Sequence, residues 1–232
     1  MSTADATQAV VLTSGGLDST VTTAIAMADG YECHCLILNY GQRHEIEIAH
    51  AQQVATSLKT ASSLVLDVDL RTISRSALTT SIPVPKGRTV ERIGQGIPST
   101  YVPGRNTIFL SLALAWAESL GASAIFFGAN MLDYAGYPDC RPEFVMAFNA
   151  LARLGTQQGI EGSPITVYAP LLQLTKAEII LKGIELGVPF SLTHSCYDPS
   201  PQGKPCGECD SCLLRQKGFH EAGIPDPALE AR

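Results

Sequence analysis

The junction at residues 10–20 restricts this chain more than any other feature. Val10-Val11-Leu12 has the look of a short buried strand, and it yields at Thr13-Ser14-Gly15-Gly16 to a helical pattern opening on Leu17-Asp18-Ser19. A strand that turns through glycines into a helix leaves free backbone N–H groups at the positive helix end, where an anion is favoured. Two glycines allow close backbone approach, and Ser14, Ser19 and Thr20 add hydroxyl donors. Asp18 sits in the first turn, suited to capping the helix or to positioning a metal ion. The loop fits a pyrophosphate. An isolated Ser-Gly-Gly is more often a plain tight turn, but the full Ser-Gly-Gly-Leu-Asp-Ser run opening the first β-α unit reverses those odds.

The same alternation continues downstream. Strands are expected at 33–38, 64–68, 124–127 and 165–168, and helices at 18–27, 44–58, 106–120, 143–154 and 176–186. The rhythm predicts an α/β fold with a parallel sheet flanked by helices. Residues 71–104 carry Pro83, Pro85, Pro98 and Pro103 with no sustained period, and they form a long loop of the kind that is usually functional or mobile. After Pro189 the chain becomes dense in Cys, Pro and Gly. The expected division is an α/β nucleotide-binding domain at 1–190 with a small segment at 191–232 packed on it.

Two commoner nucleotide signatures are missing: no G-x-x-x-x-G-K-[ST] occurs, and no G-x-G-x-x-G follows a strand. The net charge of −6, without a Lys/Arg block, argues against direct binding of nucleic acid. The apolar stretch 107–127 contains Glu118 and is divided by Gly121, so it falls short of the roughly 20 uninterrupted apolar residues of a membrane span. The first ten residues lack the basic and apolar regions of a secretory signal, and a cytoplasmic location is expected.

Cys196, Cys206, Cys209 and Cys212 are spaced C-x9-C-x2-C-x2-C. Four thiolates so placed can close a tetrahedral Zn2+ site with no open position, hence a structural one. Disulfides fit poorly in a chain with no export signal. A [4Fe–4S] cluster is the serious rival, since it too takes cysteine-only ligation. His194 is a competing ligand close by. Cys33 and Cys35, in a strand, read as small hydrophobes.

Ser-Gly-Gly-Leu-Asp-Ser at 14–19, Tyr40-Gly41-Gln42-Arg43-His44, Val102-Pro103-Gly104-Arg105-Asn106, Gly136-Tyr137-Pro138-Asp139-Cys140-Arg141 and the four cysteines together resemble the 7-cyano-7-deazaguanine synthase family. The first motif alone marks the broad group of PP-loop ATP pyrophosphatases, whose fold is Rossmann-like. Gly-Tyr-Pro-Asp-Cys-Arg followed by this cysteine spacing is far more specific. The resemblance implies an ATP-dependent ligase that converts 7-carboxy-7-deazaguanine and ammonia to the nitrile preQ0 in queuosine biosynthesis, through an adenylated acid and an adenylated amide. It also implies ATP with Mg2+ as co-substrate, one structural Zn2+ per chain and a homodimer. Another PP-loop enzyme, an amidotransferase synthetase or a tRNA-modifying enzyme, is the alternative, and a non-catalytic nucleotide sensor is a rival from another class.

Site expectations follow. Thr13, Ser14, Gly15, Gly16, Leu17, Asp18, Ser19 and Thr20 hold the nucleotide phosphates. Arg105 and Lys176 neutralise phosphate charge, with a surface salt bridge as the plain alternative for each. His44 is either a proton-transfer partner or a helix-start residue. Asp133 or Asp139 accepts the amino and ring N–H edge of the deazaguanine, Tyr134 or Tyr137 stacks on its ring, and Arg141 belongs to the same motif. The plain reading of Asp139 is a cap on the helix that follows.

Overall fold

The computed structural model describes residues 7–43, 46–132 and 136–230. Five parallel strands, β1 Gln8–Leu12, β2 Glu32–Asn39, β3 Ser62–Asp67, β4 Ala124–Phe126 and β5 Thr166–Tyr168, form one sheet in the order β3-β2-β1-β4-β5. The expected strands are therefore all present, with ends shifted by one or two residues. The helices are α1 Leu17–Ala28, α2 Ile46–Leu58, α3 Arg105–Leu120, α4 Pro142–Gly155, the short α5 Gln157–Ile160, α6 Lys176–Glu185, α7 Asp210–Glu221 and the terminal turn α8 Pro227–Glu230.

Side chains along β1 alternate between the two faces, as a strand requires. Val10 joins Leu36, Ile125, Leu110, Leu114 and Phe148 under α3 and α4, while Ala9 and Val11 meet Ala26, Cys33 and Phe126 on the α1 face. Burial on both faces explains the continuous apolar runs Ala9–Leu12 of β1, Cys35–Leu38 of β2 and Ala124–Phe126 of β4. The chain runs outward from β1 through β2 to β3, then returns to place β4 on the other side of β1. That reversal opens a crevice at the carboxyl ends of β1 and β4, the usual ligand position in open α/β sheets.

The loop at 71–104 has one turn of 3-10 helix, Val90–Arg92, yet it is well tied down. Ala77 is fully buried and its N–H donates to the Ser99 carbonyl at 2.7 Å. Lys86 pairs with Cys209 as an isolated antiparallel bridge, Gly87 N–H donates to the Glu208 carbonyl, and Arg88 Nε donates to Asp210 at 2.9 Å. Anchorage on the cysteine segment, rather than regular structure, orders it.

The segment after Pro189 holds a helix that its Cys, Pro and Gly content conceals. α7 begins between Cys209 and Cys212, and its Phe219 enters the cluster formed by Leu17 and Val21 of α1 with Ile179 and Ile180 of α6. Gly218 permits the approach, since a β-carbon there would lie 2.3 Å from Lys176 Cγ. Arg215, buried, donates to both oxygens of Asp226 at 2.6 and 2.8 Å and ties α7 to the turn before α8. No helix of the described residues is long and apolar enough to cross a membrane.

Candidate active site and cysteine cluster

The crevice is lined by Thr13, Ser14, Gly16, Leu17, Asp18 and Ser19 from the first junction, and by Arg105, Lys176 and Tyr137 from distant parts of the chain. α1 starts at Leu17 behind an extended Gly16, with no side chain capping its first turn. Its free N–H groups therefore face the crevice. Ser19 Oγ accepts from Ser14 N–H and lies 3.1 Å from Ser14 Oγ, so the two hydroxyls brace the loop from inside. Thr20 is fully buried and its hydroxyl donates to the Gly16 carbonyl at 2.8 Å. It shapes the loop and does not line the crevice. Thr13 donates its hydroxyl to the Val11 carbonyl.

Gly15 has φ +74°, and a β-carbon there would meet the Ala51 nitrogen of α2 at 2.5 Å. Gly15→Ala therefore forces either the left-handed conformation on alanine, at about 1–2 kcal/mol, or withdrawal of α2. ATP affinity is expected to fall about tenfold or more, each ~1.4 kcal/mol being a factor of ten, and calorimetric titration with ATP checks it. Undiminished binding would mean that α2 yields without disturbing the loop.

Lys176 is the first residue of α6, behind a capping box in which Thr175 and Glu178 exchange hydrogen bonds. The cap fixes where the helix begins and so where Lys176 points. Its Nζ donates to both oxygens of Asp18, at 2.6 and 2.8 Å, with only 8% of the lysine side chain exposed. The surface salt bridge is thus excluded: this is a buried pair on the crevice wall. Arg105 opens α3, half-buried, its guanidinium carbon 6.0 Å from the Tyr40 ring centre and 5.9 Å from that of Phe109. The phenols of Tyr40 and Tyr137 and the Asp139 carboxylate raise its pKa further, overcoming the opposing effect of burial.

Asp139 is placed otherwise than for reading a ring. It is buried, its Oδ2 accepts from Asn106 N–H at 3.0 Å, and Asn106 Nδ2 donates back to its carbonyl. It caps α3, the helix before it in sequence, rather than α4 after it. Asp139→Ala should cost about 0.5–2 kcal/mol of stability, as cap losses do, with denaturant titration as the check. Tyr137 lines the crevice and its hydroxyl lies 2.9 Å from Thr100 Oγ1. Arg141 is exposed, precedes α4 and stands outside the crevice. His44 and Asp133, with Tyr134, lie outside the described residues.

The crevice also presents side chains that sequence reasoning passed over: Gln42, Glu47, Asn130, Ser195 and Tyr197. Asn130 is fully buried and donates to the carbonyls of Leu171 and Leu174, holding the approach to α6. Cys140 lines the wall too, but burial, aided by the Asp139 charge, pushes its thiol up to about 12. At neutral pH it is a protonated thiol and no nucleophile.

The sulfurs of Cys196, Cys206, Cys209 and Cys212 all lie within 4.8 Å of one another. Backbone N–H groups of Asp198 and Cys206 point at the Cys196 sulfur, that of Tyr197 at Cys209, and that of Cys209 at Cys206, all at 3.2–3.4 Å. Such donors favour thiolates, and four thiolates so close make a set that could hold a cation among them. A tetrahedral ion with bonds of about 2.3 Å needs sulfurs roughly 3.8 Å apart, which fits this spacing. The cluster reaches the phosphate loop through His194, whose N–H donates to the Gly15 carbonyl at 2.9 Å.

Comparison with known proteins places this architecture. A solved 4-thiouridine synthetase, in complex with RNA and bound ATP, shares the fold at a TM-score of 0.52 and 19% identity, covering 97% of this chain and 52% of that one. Two relatives named 7-cyano-7-deazaguanine synthase are much closer. That of Myxococcus xanthus is 55% identical over 220 residues, 95% of this chain and 96% of the relative, and that of Desulfatibacillum aliphaticivorans is 58% identical over 221 residues, 95% of each. The family profile described as queuosine biosynthesis protein QueC matches residues 8–223. With a Rossmann-like sheet, a glycine loop on its first strand and four clustered cysteines all within that span, the chain belongs to the QueC family.

Proposed function

We infer that the chain is a 7-cyano-7-deazaguanine synthase, converting 7-carboxy-7-deazaguanine and ammonia to preQ0 with cleavage of ATP between its α- and β-phosphates. The observation that carries this reading is identity of 55–58% to proteins of that name over nearly the whole of both chains. A carboxylate is a poor electrophile, so AMP is first transferred to it, ammonia displaces AMP to give the amide, and a second adenylation of the amide oxygen permits dehydration. Ser14, Gly16 and the first turn of α1 hold the phosphates, and Lys176 and Arg105 offset the charge that develops there. Once Lys176 turns to phosphate, Asp18 is the carboxylate left to meet Mg2+. Cys196, Cys206, Cys209 and Cys212 would hold Zn2+, which supplies cross-linking and no chemistry to the reaction.

A net charge of −6 without a Lys/Arg block in the sequence supports small-molecule substrates over nucleic acid, and a cytoplasmic setting goes with them. Exposed Met146, Leu154 and Ile160 on and after α4 support a homodimer buried through that face. Purified enzyme given ATP, the deazaguanine acid and ammonia should release AMP and pyrophosphate and form a product with the nitrile mass. Release of ADP and orthophosphate alone would overturn the assignment.

A further inference from the structure

Among the described residues two carboxylates line the crevice: Asp18, which Lys176 holds, and Glu47. Glu47 stands in the first turn of α2, and its own carbonyl packs 2.9 Å from where a β-carbon on Gly15 would lie. The backbone of α2 therefore packs directly on the glycine that opens the Ser14–Ser19 loop, and the Glu47 side chain lines the same crevice as that loop. Among the described residues its charged and titratable neighbours are Arg105 of α3 and Tyr40 beyond β2, with Asp18, Lys176, Tyr137, Cys140, His194, Tyr197 and Arg215 on the remaining walls, Arg215 being paired with Asp226. Burial pushes the Glu47 carboxyl up to about 7, against the pull of Arg105.

A bare carboxylate beside phosphates is repelled, so it is stable there only when protonated or when it carries a cation. Lys176 serves Asp18 or phosphate, the Mg2+ that comes with ATP is assigned to Asp18, and Arg105 leaves the Glu47 carboxyl raised despite its charge. The reaction itself brings one more cation, because ammonia at neutral pH is mostly ammonium. The other acids on the wall are poorly suited to take a proton from it: the Tyr40 phenol is pushed up to about 12 by burial, as is the Cys140 thiol, and both are already protonated.

Resting on the synthase reading above, we propose that Glu47 captures ammonium beside the adenylated carboxyl and removes its proton, releasing ammonia as the nucleophile. The proton passes from nitrogen to the Glu47 oxygen. The nitrogen lone pair forms the C–N bond, the C–O bond to the phosphate breaks, and AMP leaves with that electron pair. The second proton departs from the new C–N nitrogen to solvent, and the amide remains.

Glu47→Gln tests this, with Glu47→Asp as the variant that keeps a carboxyl. The readouts are ATP–pyrophosphate exchange with the acid and no ammonia, amide formation from ammonium, and hydroxamate formation from hydroxylamine, which is largely unprotonated at neutral pH. For Glu47→Gln, exchange should stay at the wild-type rate, kcat/KM for ammonium should fall about 10²–10³-fold at neutral pH and recover as pH rises, and hydroxylamine should react normally. Glu47→Asp should regain part of the ammonium rate. Equal loss with both nucleophiles, loss of exchange in both variants, or unaltered ammonium kinetics would each overturn the proposal. Wild-type enzyme that shows no acid-dependent exchange would instead sink the synthase reading.

Discussion

Lys176→Met is expected to lower kcat for ATP-dependent turnover by about 10²–10³-fold while leaving a folded protein, because on the inferred function it removes a preplaced donor to phosphate, a loss of ~3–4 kcal/mol in comparable sites. Methionine keeps the stem that Gly218 of α7 packs against, where alanine would leave a gap. The charge, however, has two tasks. Nζ neutralises Asp18 through bonds of 2.6 and 2.8 Å, and under the synthase reading it turns to phosphate when nucleotide binds. Removing one partner of a fully buried pair costs about 3–5 kcal/mol. Asp18 is 18% exposed, so solvent relieves part of that and the stability loss should be smaller. A cycle with Asp18→Asn separates the tasks. Stability lost in Lys176→Met should be largely regained in the double variant, since no uncompensated carboxylate remains, whereas turnover should not return. Pyrophosphate release measures the second quantity and denaturant titration the first. A Lys176→Met enzyme with undiminished kcat would show that the pair is structural only.

That test also marks where the sequence stopped being legible. The Ser14–Ser19 loop was readable because a strand-to-helix junction is written within about ten consecutive residues, and the sheet followed from the same local rhythm. The helix expected at 176–186 puts Lys176 at its start, as the structure does. The bond of Lys176 to Asp18, 158 residues away, was not legible, since no local period links them. The bond of Asp139 to Asn106 was illegible for the same reason, since Asn106 lies 33 residues earlier on another helix. Thr20 was different. Its hydroxyl turns back on the carbonyl four residues before it, a habit of threonine in helices that local reasoning already describes. α7 hid because its buried positions include Asp210, Ser211, Arg215 and Gly218, which break the apolar period. Glu47 hid in plain helical spacing, a polar position on α2 whose place in the crevice lining only the tertiary structure reveals.

If the four cysteines hold the Zn2+ inferred above, removing it by chelation or by Cys209→Ser should produce a large loss of stability. An ion that binds only the folded state stabilises it by about 4 kcal/mol when free at a thousandfold over its Kd. At roughly 2–4 °C per kcal/mol for a protein of this size, the melting temperature should fall by about 10 °C. The local packing offers little in compensation, because the satellite core around the cysteines adds only Ala77 and Val84 as buried aliphatic side chains. The damage should also travel. Residues 86–88 of the long loop are held by Cys209, Glu208 and Asp210, and the Gly15 carbonyl is held by His194, two residues before Cys196. Protease sites should therefore open first within 81–104 and 196–209, and ATP affinity should drop in the stripped protein before the sheet unfolds. Thermal scans with and without chelator, limited proteolysis and ATP titration distinguish this from a metal that merely decorates the surface, for which all three would be unchanged. A loss of stability without loss of ATP affinity would place the coupling in the long loop alone, and would show that the His194 bond to Gly15 survives without the ion.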